Sequence, residues 1–373
     1  MKKKFLKRVT IIFGTRPEAI KLATVIKKFK EIDFLDIRIV LTGQHKEMVE
    51  QVNTLFNINY DKNLEVMSHG QNLNDLTKNI LNGVREELIN FKSDLVIVQG
   101  DTTTAFASAL ASFYERVPVA HIEAGLRTDS LFNPFPEELN RRLISQLSTL
   151  HFAPTEKSAK NLASNNIKEN VFVTGNTVID ALLYVKDEAN PKQSINVNWK
   201  NRVLLTSVHR RENWGENLED IALGLKKIIE LYPDLYLVLP MHKNLKVREP
   251  LKRIMGNSER IILCESFDYL EMVGAIKNCH LLITDSGGLQ EEAPTFGKPV
   301  LVLRKNTERI EGIEAGVSKL IGTNQNDIVR EVSLMLNSKD EYYSMSKTLN
   351  PYGDGTASDK IKNICLDFLK IKN

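Results

Sequence analysis

Short apolar, β-branched runs alternate with longer amphipathic stretches along the whole chain. The runs Val9–Phe13, Ile37–Leu41, Leu95–Gln99, Val117–Ile122, His151–Ala153 and Val171–Thr174 read as strands of a first series. A second series comprises Val203–Ser207, Leu235–Leu239, Ile261–Cys264, Leu281–Thr284, Val300–Leu303 and Lys319–Ile321. Between them, Glu18–Lys30, Leu73–Phe91, Thr103–Tyr114 and Leu218–Leu231 carry the 3.6-residue apolar period of helices. Unbroken apolar strands imply sheets covered on both faces, which is the parallel case. Strand–helix alternation then implies βαβ units with right-handed crossovers. The polar stretch Lys186–Asn201, with Asn190-Pro191, is the natural break between two α/β halves. Two doubly wound domains are expected to face each other across a cleft. Their ligands should lie beyond the carboxyl ends of the strands.

Composition narrows the class. The 373 residues suit about two domains. With 42% hydrophobic and 26% charged residues, there is enough apolar material for ordered cores. The net charge of +3 argues against nucleic-acid binding through bulk charge. No apolar run reaches the roughly 18–20 residues of a membrane span. The basic start MKKKFLKRVTIIFG has too short an apolar run for a signal peptide and runs into Gly14-Thr15-Arg16-Pro17, so a cytoplasmic protein is expected. Cys264, Cys279 and Cys365 form no CxxC pair and read as buried apolar thiols.

Candidate chemistry falls just after the strands. Gly14-Thr15-Arg16-Pro17-Glu18-Ala19-Ile20-Lys21 couples a tight turn to a helix start, with Arg16 and Lys21 able to attract an anion there. Neither a P-loop nor a GxGxxG fingerprint is present. Asp101, in Gln99-Gly100-Asp101-Thr102, reads either as a helix N-cap or as a carboxylate on the sheet rim. Glu123, in His121-Ile122-Glu123-Ala124-Gly125, falls at the end of the next strand. Pro134-Phe135-Pro136-Glu137-Glu138 opens a helix. On spacing alone, Glu137–Arg141 and Glu138–Arg142 read as surface i,i+4 pairs. His209-Arg210-Arg211-Glu212 reads as a polar wall, or as a solvated loop. Ser286-Gly287-Gly288, between strand and helix, offers unobstructed N–H groups to a phosphate, with Arg304 and Arg309 at hand to pair with it. Glu292 suits sugar hydroxyls better than a phosphate. Metal-ligand spacing and a GxSxG elbow are both missing. The residues therefore point to a phosphorylated sugar or nucleotide, handled without a tightly held metal.

Together these motifs closely resemble the non-hydrolysing UDP-N-acetylglucosamine 2-epimerases. The likeness rests on GTRPEAIK at 14–21, TGQH at 42–45, GDTTT at 100–104, HIEAGLRT at 121–128, PFPEE at 134–138, TGNTVIDAL at 174–182, HRREN at 209–213, DSGGLQEEAP at 285–294, TER at 307–309 and NPYGDG at 350–355. It implies a GT-B fold: a Rossmann-like domain over residues 1–185, a UDP-binding one over 186–355, and a helix within 356–373 (Ile361–Ile371) returning to the first. It implies interconversion of UDP-N-acetylglucosamine and UDP-N-acetylmannosamine, for cell-surface polysaccharide, by a cytoplasmic homodimer needing no cofactor, metal, nucleic acid or membrane. Asp101, Glu123, Glu137 and His209 take the catalytic roles, which lifts Glu137 above its salt-bridge reading. Arg16, Lys21, Phe267, Met272, Ser286, Gly287, Gly288, Glu292 and Arg309 take the substrate contacts. Met272 stands where relatives carry an aromatic on the uracil, and Ile310 interrupts the usual TERPE. Gln44, Arg210 and His242 match a second, activating substrate site of some relatives, whereas Glu47 and Gly70 depart from it. The alternatives are the same epimerisation on another UDP-N-acetyl sugar, or a hydrolysing enzyme releasing UDP and N-acetylmannosamine.

Overall fold

A computed structural model describes residues 7–44, 46–67, 70–132, 134–256 and 258–371. His45 of the TGQH motif lies outside them. Contacts divide the chain into Met1–Ala181 with Tyr352–Asn373, and Leu182–Pro351.

The first unit holds β1 (Lys7–Phe13), β2 (Leu35–Leu41), β3 (Lys62–Asn63), β4 (Leu95–Gln99), β5 (Val119–Ile122), β6 (Leu150–Ala153) and β7 (Val171–Val173). Its sheet runs β3-β2-β1-β4-β5-β6-β7. The second unit holds β8 (Arg202–Ser207), β9 (Leu235–Met241), β10 (Ile261–Glu265), β11 (Leu281–Thr284), β12 (Val300–Val302) and β13 (Ser318–Leu320), ordered β10-β9-β8-β11-β12-β13. All pairings among the described residues are parallel. Central strands such as β4 are buried at every position, which is why they read as continuous apolar runs. The two-residue β3 escapes the pattern because Lys62 and Asn63 carry no apolar signal.

Strand order fixes where chemistry can sit. The first sheet reverses direction of growth between β1 and β4, and the second between β8 and β11. Loops after such neighbours splay apart and open a crevice at the carboxyl edge. GTRPE follows β1 and GDTTT follows β4. HRREN follows β8 and DSGG follows β11.

Two boundaries differ from the sequence expectation. The polar stretch 186–201 packs into the second unit, as the expected 186–355 domain has it, rather than forming a linker between the two. A Cβ on Gly274 would meet the Asn190 carbonyl carbon at 2.1 Å, Lys192 pairs with Glu271 at 3.1 Å, and Ile195 is buried in the core. The junction falls instead inside the helix Thr177–Val185. The last helix spans Ala357–Phe368 rather than 361–371. It starts early because the buried Asp180 carboxylate accepts the Ser358 and Ala357 N–H groups at 2.7 and 3.3 Å. It stops where Lys370 takes a left-handed φ of 56°. Its Ser358 and Asp359 bond Thr24 (2.9 Å) and Lys28 (3.0 Å) of the first unit's opening helix, Arg16–Lys30.

Candidate active site

The first unit gathers carboxylates at the ends of β4 and β5. Glu123 has φ +67°, a left-handed conformation that costs a non-glycine residue about 1–3 kcal/mol. Lys21 holds it there, its Nζ lying 2.6 and 2.7 Å from the two carboxylate oxygens, and Gln99 donates to Oε2 as well. Lys21 thus bonds a carboxylate in this structure, where the resemblance makes it a diphosphate contact.

Asp101 does not cap the following helix. Thr102 does, accepting from the Ala105 N–H at 3.0 Å. The Asp101 carboxylate faces Arg141 instead, with Nε and Nη2 at 3.1 and 2.9 Å from Oδ2. Arg141 is buried and its other edge donates to the fully buried Glu138 at 3.0 Å. Glu138 also takes Arg142 at 2.7 Å and the Thr128 N–H at 3.0 Å. Of the two i,i+4 pairs read from spacing, Glu138–Arg142 forms and Glu137–Arg141 does not, because Asp101 and Glu138 hold Arg141. The Glu137 Oε2 atom is buried with no hydrogen-bond partner. Burial pushes the Asp101 carboxyl above its ordinary range; Arg141 and Lys21 oppose that shift, while Glu123 and Glu137 reinforce it. Glu123 and Glu137 therefore both act electrostatically on Asp101.

Glu18, unremarkable in the sequence, ties these loops together. It is buried, accepts the Gly14 and Thr15 N–H groups at 3.0 and 2.7 Å, and takes the Thr102 hydroxyl at 2.6 Å. Burial raises its carboxyl despite those bonds. Gly14 is required by close approach, since a Cβ would lie 2.0 Å from Thr42 Oγ1 and 2.7 Å from Thr104 Oγ1. Arg16 is half-buried in the first turn of its helix. Beneath Asp101, the buried His121 ring places Nε2 2.7 Å from the Gly100 carbonyl, and burial drives its pKa down to about 3. Gln44 accepts from Thr104 at 3.2 Å and lines an open concavity of about 700 Å³ with Glu47, Met48, Asn63, Glu65 and Met67. Glu47 is exposed and Gly70 faces open space.

The second unit gathers cations. Gly287 and Gly288 open the helix Gly287–Glu292, whose first N–H groups have no acceptor within the helix. A Cβ on Gly287 would sit 3.2 Å from Glu308 Oε1, 3.5 Å from Arg210 Nη2 and 3.5 Å from Arg309 Cζ. A side chain there would crowd that cluster. Glu308 joins three guanidinium groups: Arg304 at 2.7 Å, Arg210 at 3.1 Å and Arg309 at 3.2 Å. Burial alone would raise the Glu308 carboxyl, but Arg309, Arg210 and Arg304 together hold it far below the ordinary range. Arg309 also pairs with Glu291 at 2.8 Å, and Arg304 with Glu212 at 2.7 Å. Glu292 is buried one turn beyond Gly288. His209 is partly exposed and stacks near His242, with ring centroids 6.1 Å apart. Phe267 is buried in the core with Lys192 over its ring at 6.0 Å, and Met272 packs half-buried against the same cluster. Burial raises the half-buried Cys264 and the buried Cys279 thiols to about 12, and the buried Cys365 is also raised, which disfavours the thiolate in all three.

A model of the UDP-N-acetylglucosamine 2-epimerase family matches residues 27–366. The chain belongs to that family. A Salmonella typhimurium UDP-N-acetylglucosamine 2-epimerase is 45% identical over 364 residues, covering 95% of this chain and 97% of its own. Among solved structures, the Neisseria meningitidis enzyme bound to UDP-GlcNAc superposes with a TM-score of 0.90 at 42% identity, over 96% of this chain and 100% of that one. The Methanocaldococcus jannaschii enzyme, in complex with UDP-GlcNAc and UDP, gives 0.81 at 33% identity, over 96% and 99%. The two Rossmann-like domains of this chain are those of the family's GT-B fold. Among the described residues, no His, Cys, Asp or Glu group could hold a metal ion, and no helix is long and apolar enough to cross a membrane.

Sequence reasoning named Asp101, Glu123 and Glu137, which the structure brings together. It also named Arg309, Gly287 and Gly288, which meet at the second sheet. It gave no role to Glu18, Asp285 and Glu308, and read Glu138 and Arg141 only as surface pair members. The available signals were the Arg304–Glu308 spacing and the aspartate closing β11.

Proposed function

We propose that this chain interconverts UDP-N-acetylglucosamine and UDP-N-acetylmannosamine by inverting sugar carbon 2, as the names of its relatives indicate for them. The observation that carries the reading is the convergence of Asp101, Glu123 and Glu137 around two cations, Lys21 and Arg141.

The C2 proton is not adjacent to a carbonyl, so a base alone would struggle to remove it. Breaking the anomeric C1–O bond builds positive charge beside that carbon and acidifies the proton. A carboxylate takes the proton as UDP departs with the bonding pair, leaving 2-acetamidoglucal. UDP then re-adds to C1 while an acid delivers a proton to the opposite face of C2. Two faces need two acid–base groups, each worth about 10²–10⁴ in rate. UDP stays bound between the half-reactions. Arg309, Ser286, Gly287 and Gly288 suit its diphosphate, Glu292 its ribose, and His209 the leaving oxygen. Phe267 and Met272 would serve the base, and Arg16 the sugar diphosphate. The reading extends to a cytoplasmic homodimer supplying polysaccharide precursors, with the subunit count set by light scattering.

Proton NMR with UDP-N-acetylglucosamine in deuterated water is the test. UDP-N-acetylmannosamine carrying deuterium at carbon 2 is the expected product. Free UDP with free N-acetylmannosamine would instead assign hydrolysis, and an inert mixture would assign another UDP-sugar.

A further inference from the structure

Asp285 closes β11 and is completely buried. Its carboxylate is spent entirely on the loop after β8. Oδ1 and Oδ2 accept the His209 N–H at 3.2 and 3.0 Å, and Oδ2 accepts the Arg210 N–H at 2.9 Å and the Asn213 side-chain amide at 3.0 Å. Oδ1 also lies 3.3 Å from His209 Nδ1. One side chain therefore holds the backbone of His209 and faces its Nδ1. The other side of that residue is fixed as well, since the Trp214 indole donates to the His209 carbonyl at 3.3 Å. The Asp285 carbonyl accepts Arg210 Nε at 3.0 Å, which steers the guanidinium toward Glu308 and Gly287.

We propose that Asp285 is a positioning residue for His209, holding the imidazole with Nδ1–H directed at the carboxylate and Nε2 left for the substrate. The proposal rests on the reading that His209 serves the leaving diphosphate. A neutral ring in this tautomer presents a bare Nε2. When protonated, the ring keeps its Nδ1–H bond and presents Nε2–H to a phosphate oxygen as charge builds there. Among the described residues, the charged or titratable groups acting on His209 are Asp285, Arg210 and His242. Burial, Arg210 and His242 all disfavour its cation, and Asp285 alone favours it. Removing the Asp285 charge should therefore suppress the imidazolium further.

The test combines imidazole NMR with a double-mutant cycle. In ¹⁵N-histidine-labelled wild-type protein, His209 should show the Nδ1–H tautomer when neutral. In Asp285→Asn its pKa should fall. Turnover in Asp285→Asn should fall about 10²-fold with KM near wild type. The same change placed on His209→Asn should cost no more than about threefold, because the interaction is already gone. Equal losses in both backgrounds, or an unmoved imidazole titration, would overturn the proposal and leave Asp285 as scaffold only. An imidazole shift without loss of turnover supports the positioning and removes His209 from the reaction, so the two readings fail separately. Should Asp285→Asn not fold, the wild-type tautomer decides, since a bare Nδ1 facing the carboxylate overturns the proposal.

Discussion

The two sheets present acidic and basic residues at the same topological place, and balance them in opposite ways. At the edge of β4 and β5, three interacting carboxylates face two cations, Lys21 and Arg141, and the Asp101 carboxyl is raised. At the second sheet, Glu308, in the loop after β12, receives three guanidinium groups, including that of Arg210 after β8, and is lowered. A carboxylate short of cations holds its proton more firmly than an ordinary one, which brings its protonated form closer to neutral pH. A carboxylate saturated with cations is a fixed strut that arranges arginines for an anion. Residue type therefore says little about role until the charge balance around it is known.

The comparison breaks most visibly if Asp101 is not a proton-handling group. Asp101→Asn should cost on the order of 10²–10⁴ in turnover, read from deuterium entry at carbon 2. Near-normal exchange would reduce the first cluster to a scaffold like the second. Next in size is Glu308→Gln, which leaves three arginines without their shared partner. It should lower unfolding free energy by about 3 kcal/mol in urea titrations. A loss below about 0.5 kcal/mol would show that the arginines do not depend on that strut.

Acid titration of stability sharpens the contrast because the signs differ. The Glu308 carboxyl is depressed on folding, so its stabilisation is present above the ordinary glutamate value, about 4.3, and is lost as pH falls below it. The wild-type advantage over Glu308→Gln should accordingly shrink only in acid. The Asp101 carboxyl is raised, so its ionisation opposes folding above about pH 3.9, and the opposition fades as pH falls. Wild type should thus gain on Asp101→Asn as pH drops. Parallel curves for the two variants would contradict the opposite balances. The smallest effect concerns the tie between loops. Thr102→Ala removes a helix cap and the hydroxyl bonded to Glu18, and should cost about 1 kcal/mol by chemical denaturation.

Much of this was legible in the linear pattern. The strands Leu95–Gln99 and Leu281–Thr284 and the helices Leu73–Phe91 and Thr103–Tyr114 fall where periodicity places them. Burial on both faces writes parallel strands as unbroken apolar runs, and the family motifs follow those strands directly. The polar β3 and the helix start at Ala357 were not legible. The first lacks an apolar signal, and the second depends on Asp180, far away in the chain.

The amino-acid order by itself determined the main strands and long helices, the parallel α/β class, the family, and which carboxylates stand at strand ends. Those follow from local periodicity and from residues adjacent in sequence. Only the tertiary structure decided what each charge faces. Arg141 turned from Glu137 to Asp101, 40 positions away, and Asp285 reached back 76 positions to His209. Such pairings are set by strand order at the sheet edge, and ion pairing depends on distance in space rather than separation along the chain.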